Sequence, residues 1–163
     1  MLKTLYTRLA LGLFLLLLLV GLLYGFITFY YLKEHNASVN QEIHRDLASN
    51  LVADRNLVSG GELDKSALEE LFALYMTINP SIEIYLLDLG GTILSYSADP
   101  AKIKRNKVSL EPIRTLLNDM GQYPVLGDDP RSHERQKVFS VTPVPSADNP
   151  EGYLYVVLRG EEY

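Results

Sequence analysis

The residues of this chain that could bind a ligand are concentrated in a short basic segment. Lys102, Lys104, Arg105 and Lys107 lie close together, and Arg114 follows them. Guanidinium and ammonium groups donate charge-assisted hydrogen bonds to carboxylates and phosphates. The segment therefore predicts either an anion-binding site or a solvated basic loop, which is the commoner role of lysine-rich segments on protein surfaces.

Tyrosines on the predicted strands form a second candidate group, which contains Tyr85, Tyr96, Tyr153 and Tyr155. An aromatic ring with a polar tip suits a small-molecule pocket, although packing in a hydrophobic core is the commoner use. Both alternatives remain open at this point. The candidate ligand-binding residues are Tyr85, Tyr96, Arg105, Lys107 and Arg114.

The sequence offers little support for catalysis or for a metal site. Asp128, Asp129, His133 and Glu134 could supply ligands to a divalent cation, but their spacing matches no named pattern and favours surface polarity. No serine lies in a Gly-x-Ser-x-Gly motif, and the absence of cysteine excludes thiol chemistry and disulfides. We therefore predict no catalytic residue, no metal and no cofactor.

These candidates are positioned by a chain that begins with an uncharged apolar segment, Leu9 to Leu32. Its 24 residues would extend about 36 Å as a helix, more than the ~30 Å hydrocarbon core of a bilayer. A cleaved signal has a shorter apolar stretch and a small-residue cleavage site, whereas this segment ends in Phe29, Tyr30 and Tyr31. The pattern predicts an uncleaved transmembrane helix over 9–32.

Charge predicts the orientation of this helix. Lys3 and Arg8 precede it, so we expect residues 1–8 to be cytoplasmic and the remainder to be periplasmic, with the chain in the inner membrane. From Lys33 to Tyr163 the chain has 13 Lys or Arg and 20 Asp or Glu residues, a net charge of −7. Such a charge argues against a nucleic-acid partner.

A stalk is predicted beyond the membrane. The chain between Phe26 and Ser59 contains neither glycine nor proline, which favours one continuous helix and a stalk over 33–61. Apolar residues recur at every fourth position of this stalk and form a stripe. The stripe could pack on the protein's own domain or form the seam of a homodimer. Its members are Val39, Ile43, Leu47 and Leu51.

The remaining segment, 62–163, predicts one α+β domain: an antiparallel sheet with helices packed on one face. Asp64 or Ser66 can cap a helix that ends near Ile78, and Leu89-Gly90-Gly91 can form a hairpin turn. The loop before the third predicted strand, 122–134, is rich in Pro, Gly and Asp. The predicted strands are 82–88, 92–98, 136–144 and 152–159, with a short helix at 110–118.

The chain resembles the extracytoplasmic PAS-like input domains, of the PDC or Cache type, of bacterial sensor histidine kinases. The helix that leaves the membrane, the strand 84–88, the turn at Gly90-Gly91 and the strands 92–97 and 152–158 carry this resemblance. It implies a PAS-like domain that acts in two-component signal transduction and binds an unknown small-molecule anion or a periplasmic protein. It also implies a ligand pocket beside the crossover that contains the basic segment. The expected homodimer rests instead on the apolar stripe of the stalk.

The same resemblance implies a second membrane span and a kinase beyond Tyr163, so we expect the sequence to be an N-terminal portion of a larger sensor. A naturally short anchored protein is the alternative. Two other functions remain open: a protein-interaction or scaffolding module anchored in the inner membrane, or the input domain of a chemoreceptor or cyclic-dinucleotide enzyme. An anchored enzyme is the weakest alternative, because no catalytic constellation is apparent.

Overall fold

The structure is a computed structural model, and it describes residues 5–54, 57–59, 62–78, 82–118 and 123–158. The chain divides into two compact units, Met1–Asn36 and Ala37–Tyr163.

The first unit consists, in its described part, of the helix α1, Leu5–Ile43, which also supplies the opening residues of the second unit. Every described side chain from 5 to 36 is exposed. Leucine is a strong helix former, and a helix satisfies its own backbone hydrogen bonds, which a bilayer requires. Among the described residues, α1 provides the single helix that is long and apolar enough to span a membrane.

The second unit contains ten further helices and strands among its described residues, and one 3₁₀ turn at Pro100–Lys102. In chain order they are α2 (Leu47–Asp54), β1 (Val58–Ser59), β2 (Glu62–Leu63), α3 (Lys65–Ile78), β3 (Ile82–Asp88), β4 (Ile93–Tyr96), α4 (Leu110–Leu117), β5 (Leu126–Asp128), β6 (Gln136–Pro145) and β7 (Pro150–Leu158).

Helical structure continues from the apolar segment to residue 53, as the sequence predicts, but a turn at 44–46 interrupts it between α1 and α2. The Ser140 hydroxyl donates to the Arg45 carbonyl at 2.6 Å and accepts from the Ala48 amide at 3.1 Å. These bonds satisfy backbone groups at the helix ends that would otherwise need water. Contact with β6 therefore stabilises a break that neither glycine nor proline marks in the sequence. Residues 55–56 and 60–61 of the predicted stalk lie outside the described residues.

The helix α3 begins where the sequence predicts, and Asp64 is its cap. The Asp64 carboxylate accepts hydrogen bonds from the backbone amides of Ser66 at 3.0 Å and Ala67 at 3.2 Å. These are the free N–H groups that a helix N-terminus presents. The hydrogen bond from the Ser66 side chain, followed by the one from the Ala67 amide, lowers the pKa of Asp64. Of the two candidate caps, the structure selects the first.

Five antiparallel strands form the main sheet in the order β4-β3-β7-β6-β5. The predicted hairpin joins β3 to β4, and the Asp88 carboxylate accepts from the amides of Gly90 at 2.8 Å and Thr92 at 2.7 Å. Gly91 has a φ of +84°, and a Cβ there would lie 2.4 Å from the Val108 carbonyl oxygen. Glycine is therefore required at that position of the turn.

The strand β5 lies inside the segment that the sequence predicts to be an irregular loop, 122–134. The prediction was wrong there because β5 has three residues, one of them Gly127, and shows no apolar alternation. Its place in the sheet comes from pairing with β6, in the register Leu126 to Val138 and Asp128 to Gln136.

The sheet is covered on both faces. One face, which we call the helix face, packs Ile84 and Val156 against α2 and α3. The opposite face, which we call the crossover face, carries Tyr85, Phe139 and Tyr155, and packs against α4 and the segment between β4 and β5. Ile113 of α4 is fully buried there. The expectation of helices on a single face was wrong, since the crossover brings α4 to the second face.

Candidate functional site

Tyr85 lies at the centre of the crossover face, on β3. Its side chain is fully buried, and its ring centroid is 6.4 Å from that of Tyr96 and 6.5 Å from that of Tyr155. The hydroxyl donates to Glu83 Oε2 at 2.8 Å. Burial, and then the negative charge of Glu83, raise the pKa of Tyr85 far above its usual range. Tyr85 is therefore a buried hydrogen-bond donor.

Arg105 is the best-connected residue of the basic segment. Its Nη1 lies 2.9 Å from Asp128 Oδ2, and its guanidinium also donates to the carbonyls of Ser132 and His133. The Arg105 side chain is 18% exposed. Its present role is to join the crossover to β5 and to the loop that follows β5. A solvated basic loop does not describe this residue.

Lys107 and Arg114, the two other candidate cations, are exposed. Lys107 forms an isolated backbone bridge with Thr92, and Arg114 lies on α4. In the part of the chain that the structure describes, no hydrogen bond or ion pair joins either cation to Tyr85. The structure thus brings Tyr85 and Tyr96 together, and it pairs Arg105 with Asp128 in a set of charged contacts. That set also contains Glu83, which accepts the Tyr85 hydroxyl.

That set of contacts is a group of buried and half-buried charges, and we call it the ion-pair cluster. Sequence analysis singled out three of its members and missed Glu83, Arg131 and Lys137. Arg131 Nη1 lies 2.8 Å from Glu83 Oε1, and both side chains are largely buried, at 14% and 10% exposed. The ion pair thus fixes the loop after β5 to the central strand β3. The cluster consists of Glu83, Arg105, Asp128, Asp129, Arg131 and Lys137.

Asp129 is fully buried within this cluster, so the expectation of surface polarity was wrong for it. Its Oδ1 accepts from the Arg131 amide at 3.0 Å. Its Oδ2 makes no hydrogen bond, and lies 3.6 Å from Lys137 Nζ and 3.7 Å from Arg135 Nη2. The charge of Asp129 is therefore balanced by cations that lie beyond hydrogen-bond distance of Oδ2.

Tyr155, on β7, connects the cluster to the aromatic core. Its hydroxyl donates to the Asp128 carbonyl at 3.0 Å, and its ring lies 4.8 Å from that of Phe139. Burial is the main cause of a pKa that is raised far above the usual range, followed by the charges of Asp128 and Asp129. A Cβ on Gly127 would lie 2.3 Å from the Tyr155 hydroxyl. Glycine at this position lets β5 pack directly on the aromatic side chains.

The apolar stripe of the predicted stalk is divided between core and surface. Leu51 is 5% exposed and belongs to the core of the helix face, and Leu47 packs against that core. Val39 and Ile43 are 38% and 72% exposed. The first pair packs on the protein's own domain, whereas the second pair is available for a homodimer seam.

Gln41 is the most buried residue of α1 and was not a candidate in the sequence, where it lies among polar neighbours. It is fully buried. Its Nε2 donates to the carbonyls of Val125 at 2.9 Å and Phe139 at 3.0 Å, and its Oε1 accepts from the Val125 amide at 2.7 Å. A side chain of α1 is thus hydrogen-bonded both to the residue directly before β5 and to a residue of β6.

The arrangement has the chemistry of binding and positioning. Within the described ranges, no group of three His, Asp or Glu residues is placed to hold a metal ion. Glu83 and Asp128 each have an arginine at ion-pair distance, and His133 and Glu134 are exposed. A scan against protein-family models, a search of curated proteins and a search of solved structures found no match to this chain.

Proposed function

We propose that this chain is the membrane-anchored sensory input region of a two-component histidine kinase. In this proposal α1 crosses the inner membrane, residues 1–8 are cytoplasmic and the second unit is a periplasmic PAS-like domain. The five-stranded antiparallel sheet with a helical crossover between β4 and β5 supports the proposal, since it agrees with the order of elements that the resemblance implies.

One observation carries the proposal: the same helix, α1, contains the membrane-length apolar segment and Gln41. A tether would need nothing more than covalent attachment to the domain. The fully buried side chain of Gln41 instead makes three hydrogen bonds, two to Val125, directly before β5, and one to Phe139 of β6. A change in these strands therefore acts directly on α1.

A ligand that binds on the crossover face would affect the contact between Gln41 and the sheet by shifting the populations of two conformations. A ligand that binds one arrangement of the domain better than another increases the share of that arrangement, in proportion to the difference in affinity. Arg105 is paired with Asp128 at the end of β5. A ligand that changes this ion pair would alter β5, and β5 follows directly after Val125.

The chemistry of Arg105 indicates a small carboxylate or phosphate as the ligand. Its guanidinium already pairs with the Asp128 carboxylate, and a planar guanidinium donates paired hydrogen bonds to such anions. A soluble anion would compete for the same donors. The nearby exposed side chain of Lys104 adds positive charge to this part of the surface.

The proposal is tested by thermal unfolding of the full chain in lipid nanodiscs with a panel of small carboxylates, inorganic phosphate and divalent cations. A ligand that binds the folded chain stabilises it by about 2.7 kcal/mol at 100 times its Kd, so a binding anion raises Tm. The same anion should leave the Tm of Arg105→Lys nearly unchanged. A panel in which no compound raises the Tm of the native chain would contradict direct sensing of these ligands.

A protein-interaction module is the second candidate, and exposed leucines of the β3–β4 hairpin favour it. Leu94, on the edge strand β4, is 60% exposed, and Leu89 in the turn is 48% exposed. Edge strands with exposed apolar side chains can pair with a partner chain. A photo-crosslinking residue at Leu94 should then capture a periplasmic protein, and Leu89→Asp should abolish capture. Direct anion sensing predicts no such dependence.

A further inference from the structure

Gln41 occupies a position in the ladder between β5 and β6. These strands pair at Gly127 with Lys137 and at Leu126 with Val138. Continuing this antiparallel register by one step places Val125 opposite Phe139. The carboxamide of Gln41 instead lies between those two residues and bonds to both. A helix side chain thus replaces one direct pair of the sheet.

The carboxamide suits this position because it has both donors and an acceptor. It satisfies the amide and the carbonyl of Val125 and, in addition, the carbonyl of Phe139. Buried backbone groups require such partners. Asparagine has the same groups on a side chain that is shorter by one methylene, and glutamate lacks the two N–H donors.

We infer that the β5–β6 ladder has two arrangements. In the arrangement seen here Gln41 is inserted; in the other, Val125 pairs directly with Phe139 and Gln41 is expelled. The exchange replaces one set of partners for the Val125 backbone with another, so it leaves no buried amide of that residue unpaired. The two arrangements are discrete, as a conformational switch requires.

This inference deepens the proposed function and rests on it for its biological meaning. Insertion holds the last turn of α1 against the sheet, and expulsion removes three hydrogen bonds that hold it there. The opposite end of β5 is held by the ion pair of Asp128 with Arg105. A ligand at Arg105 and the α1 side chain at Gln41 therefore act on opposite ends of one three-residue strand.

Ser140 provides a matched control, because it also connects the α1–α2 region to β6. Its hydroxyl bonds to the Arg45 carbonyl and the Ala48 amide, and it takes no part in the contact between β5 and β6. Ser140→Ala therefore removes a buried contact of the same region without removing the inserted side chain.

The test is amide hydrogen exchange at Val125, measured by NMR on the full chain in nanodiscs for the native sequence, Gln41→Met and Ser140→Ala. Methionine fills the volume of glutamine but cannot accept the Val125 amide. Two arrangements predict that Val125 stays protected in Gln41→Met, within about threefold of the native rate, since the Phe139 carbonyl becomes its acceptor. Ser140→Ala should also leave this rate within threefold.

The inference is overturned if exchange at Val125 accelerates by about 10- to 100-fold in Gln41→Met, which is the effect of losing a buried partner with no replacement. Should Gln41→Met fail to fold, Gln41→Glu serves instead: its carboxylate faces two carbonyl oxygens and should favour expulsion. Protection of Phe139 and Val125 together in that variant supports the switch, and loss of protection at both overturns it. Neither measurement uses a ligand, so failure of sensing and failure of the switch are distinguishable.

Discussion

At the residue scale, the crossover face is organised partly by side chains that the sequence singles out, such as Tyr85, and partly by Glu83 and Arg131, which it does not. Tyr85 was a ligand candidate, yet it is a buried donor to Glu83. The position of Glu83 could have predicted a buried ion pair, because a carboxylate between two isoleucines of a strand needs a buried partner. That partner, Arg131, is 48 residues away in a loop, and no local pattern identifies it.

The ion pair of Arg131 with Glu83 should contribute strongly to stability, because removing one partner of a buried pair leaves the other uncompensated. We expect Arg131→Met to lower the free energy of unfolding by about 3–5 kcal/mol. Lys102→Met is the control, since its pair with Asp99 is exposed at 55% and 49%, and it should cost about 0–1 kcal/mol. Chemical denaturation in detergent micelles measures both. Equal effects of the two variants would refute a stabilising role for the buried pair.

Tyr85 and Tyr155 should remain neutral in the folded protein at high pH. Burial raises the pKa of both hydroxyls above the unfolded value of about 10. Their contribution to stability is therefore complete below about pH 10 and is lost as pH rises from there towards the folded pKa. Ultraviolet titration should show two tyrosines that ionise only when circular dichroism reports unfolding. The double variant Tyr85→Phe, Tyr155→Phe should lack the tyrosine ionisation that accompanies unfolding. If that ionisation persists in the double variant, it does not come from Tyr85 and Tyr155.

At the element scale, strong local patterns predicted the structure well and tertiary contacts produced the differences. The sequence predicts β3 and its hairpin because a run of residues that favour strands meets a Gly-Gly turn, and both are present. The strand β5 and the break at 44–46 have no local pattern. They depend on β6 and on Ser140, which lie far away in sequence.

The close approach of β5 to the aromatic core predicts a specific effect of adding one methyl group. In Gly127→Ala the Cβ would lie 2.3 Å from the Tyr155 hydroxyl and 2.8 Å from the Phe139 ring, so we expect a loss of about 1–3 kcal/mol. Gly90→Ala is the control, because Gly90 is exposed and its Cβ would meet nothing closer than a half-buried Asp88 oxygen at 3.2 Å. If Gly127→Ala and Gly90→Ala lower the Tm equally, β5 is not tightly packed against the aromatic core.

The exposed part of the α1 stripe predicts a pattern of crosslinks. The chain has no cysteine, so single cysteines report cleanly. If the stalk forms a homodimer seam, Val39→Cys and Ile43→Cys should form disulfides in membranes, whereas Leu51→Cys should not, because Leu51 is buried in its own core. Equal crosslinking at Val39 and Leu51, or none at Val39 and Ile43, would exclude this seam.

At the scale of the whole molecule, the sequence was sufficient for the apolar helix and for the α+β class. Both depend on properties summed over many residues: the hydropathy of α1 and the apolar, β-favouring composition of β3 and β6. The ion-pair cluster and the insertion of Gln41 depend instead on single long-range contacts. Composition and spacing cannot reveal contacts of this kind.

The central claim is that a conformational change at β5 and β6 is transmitted to α1 through the hydrogen bonds of Gln41. Its most direct test is the crosslinking rate of Val39→Cys in nanodiscs, with and without the anion that raises Tm, in the native and Gln41→Met backgrounds. The account predicts that the anion changes the rate several-fold with Gln41 present, and that the change disappears in Gln41→Met. An anion that raises Tm but leaves the rate unchanged in the native background would contradict it.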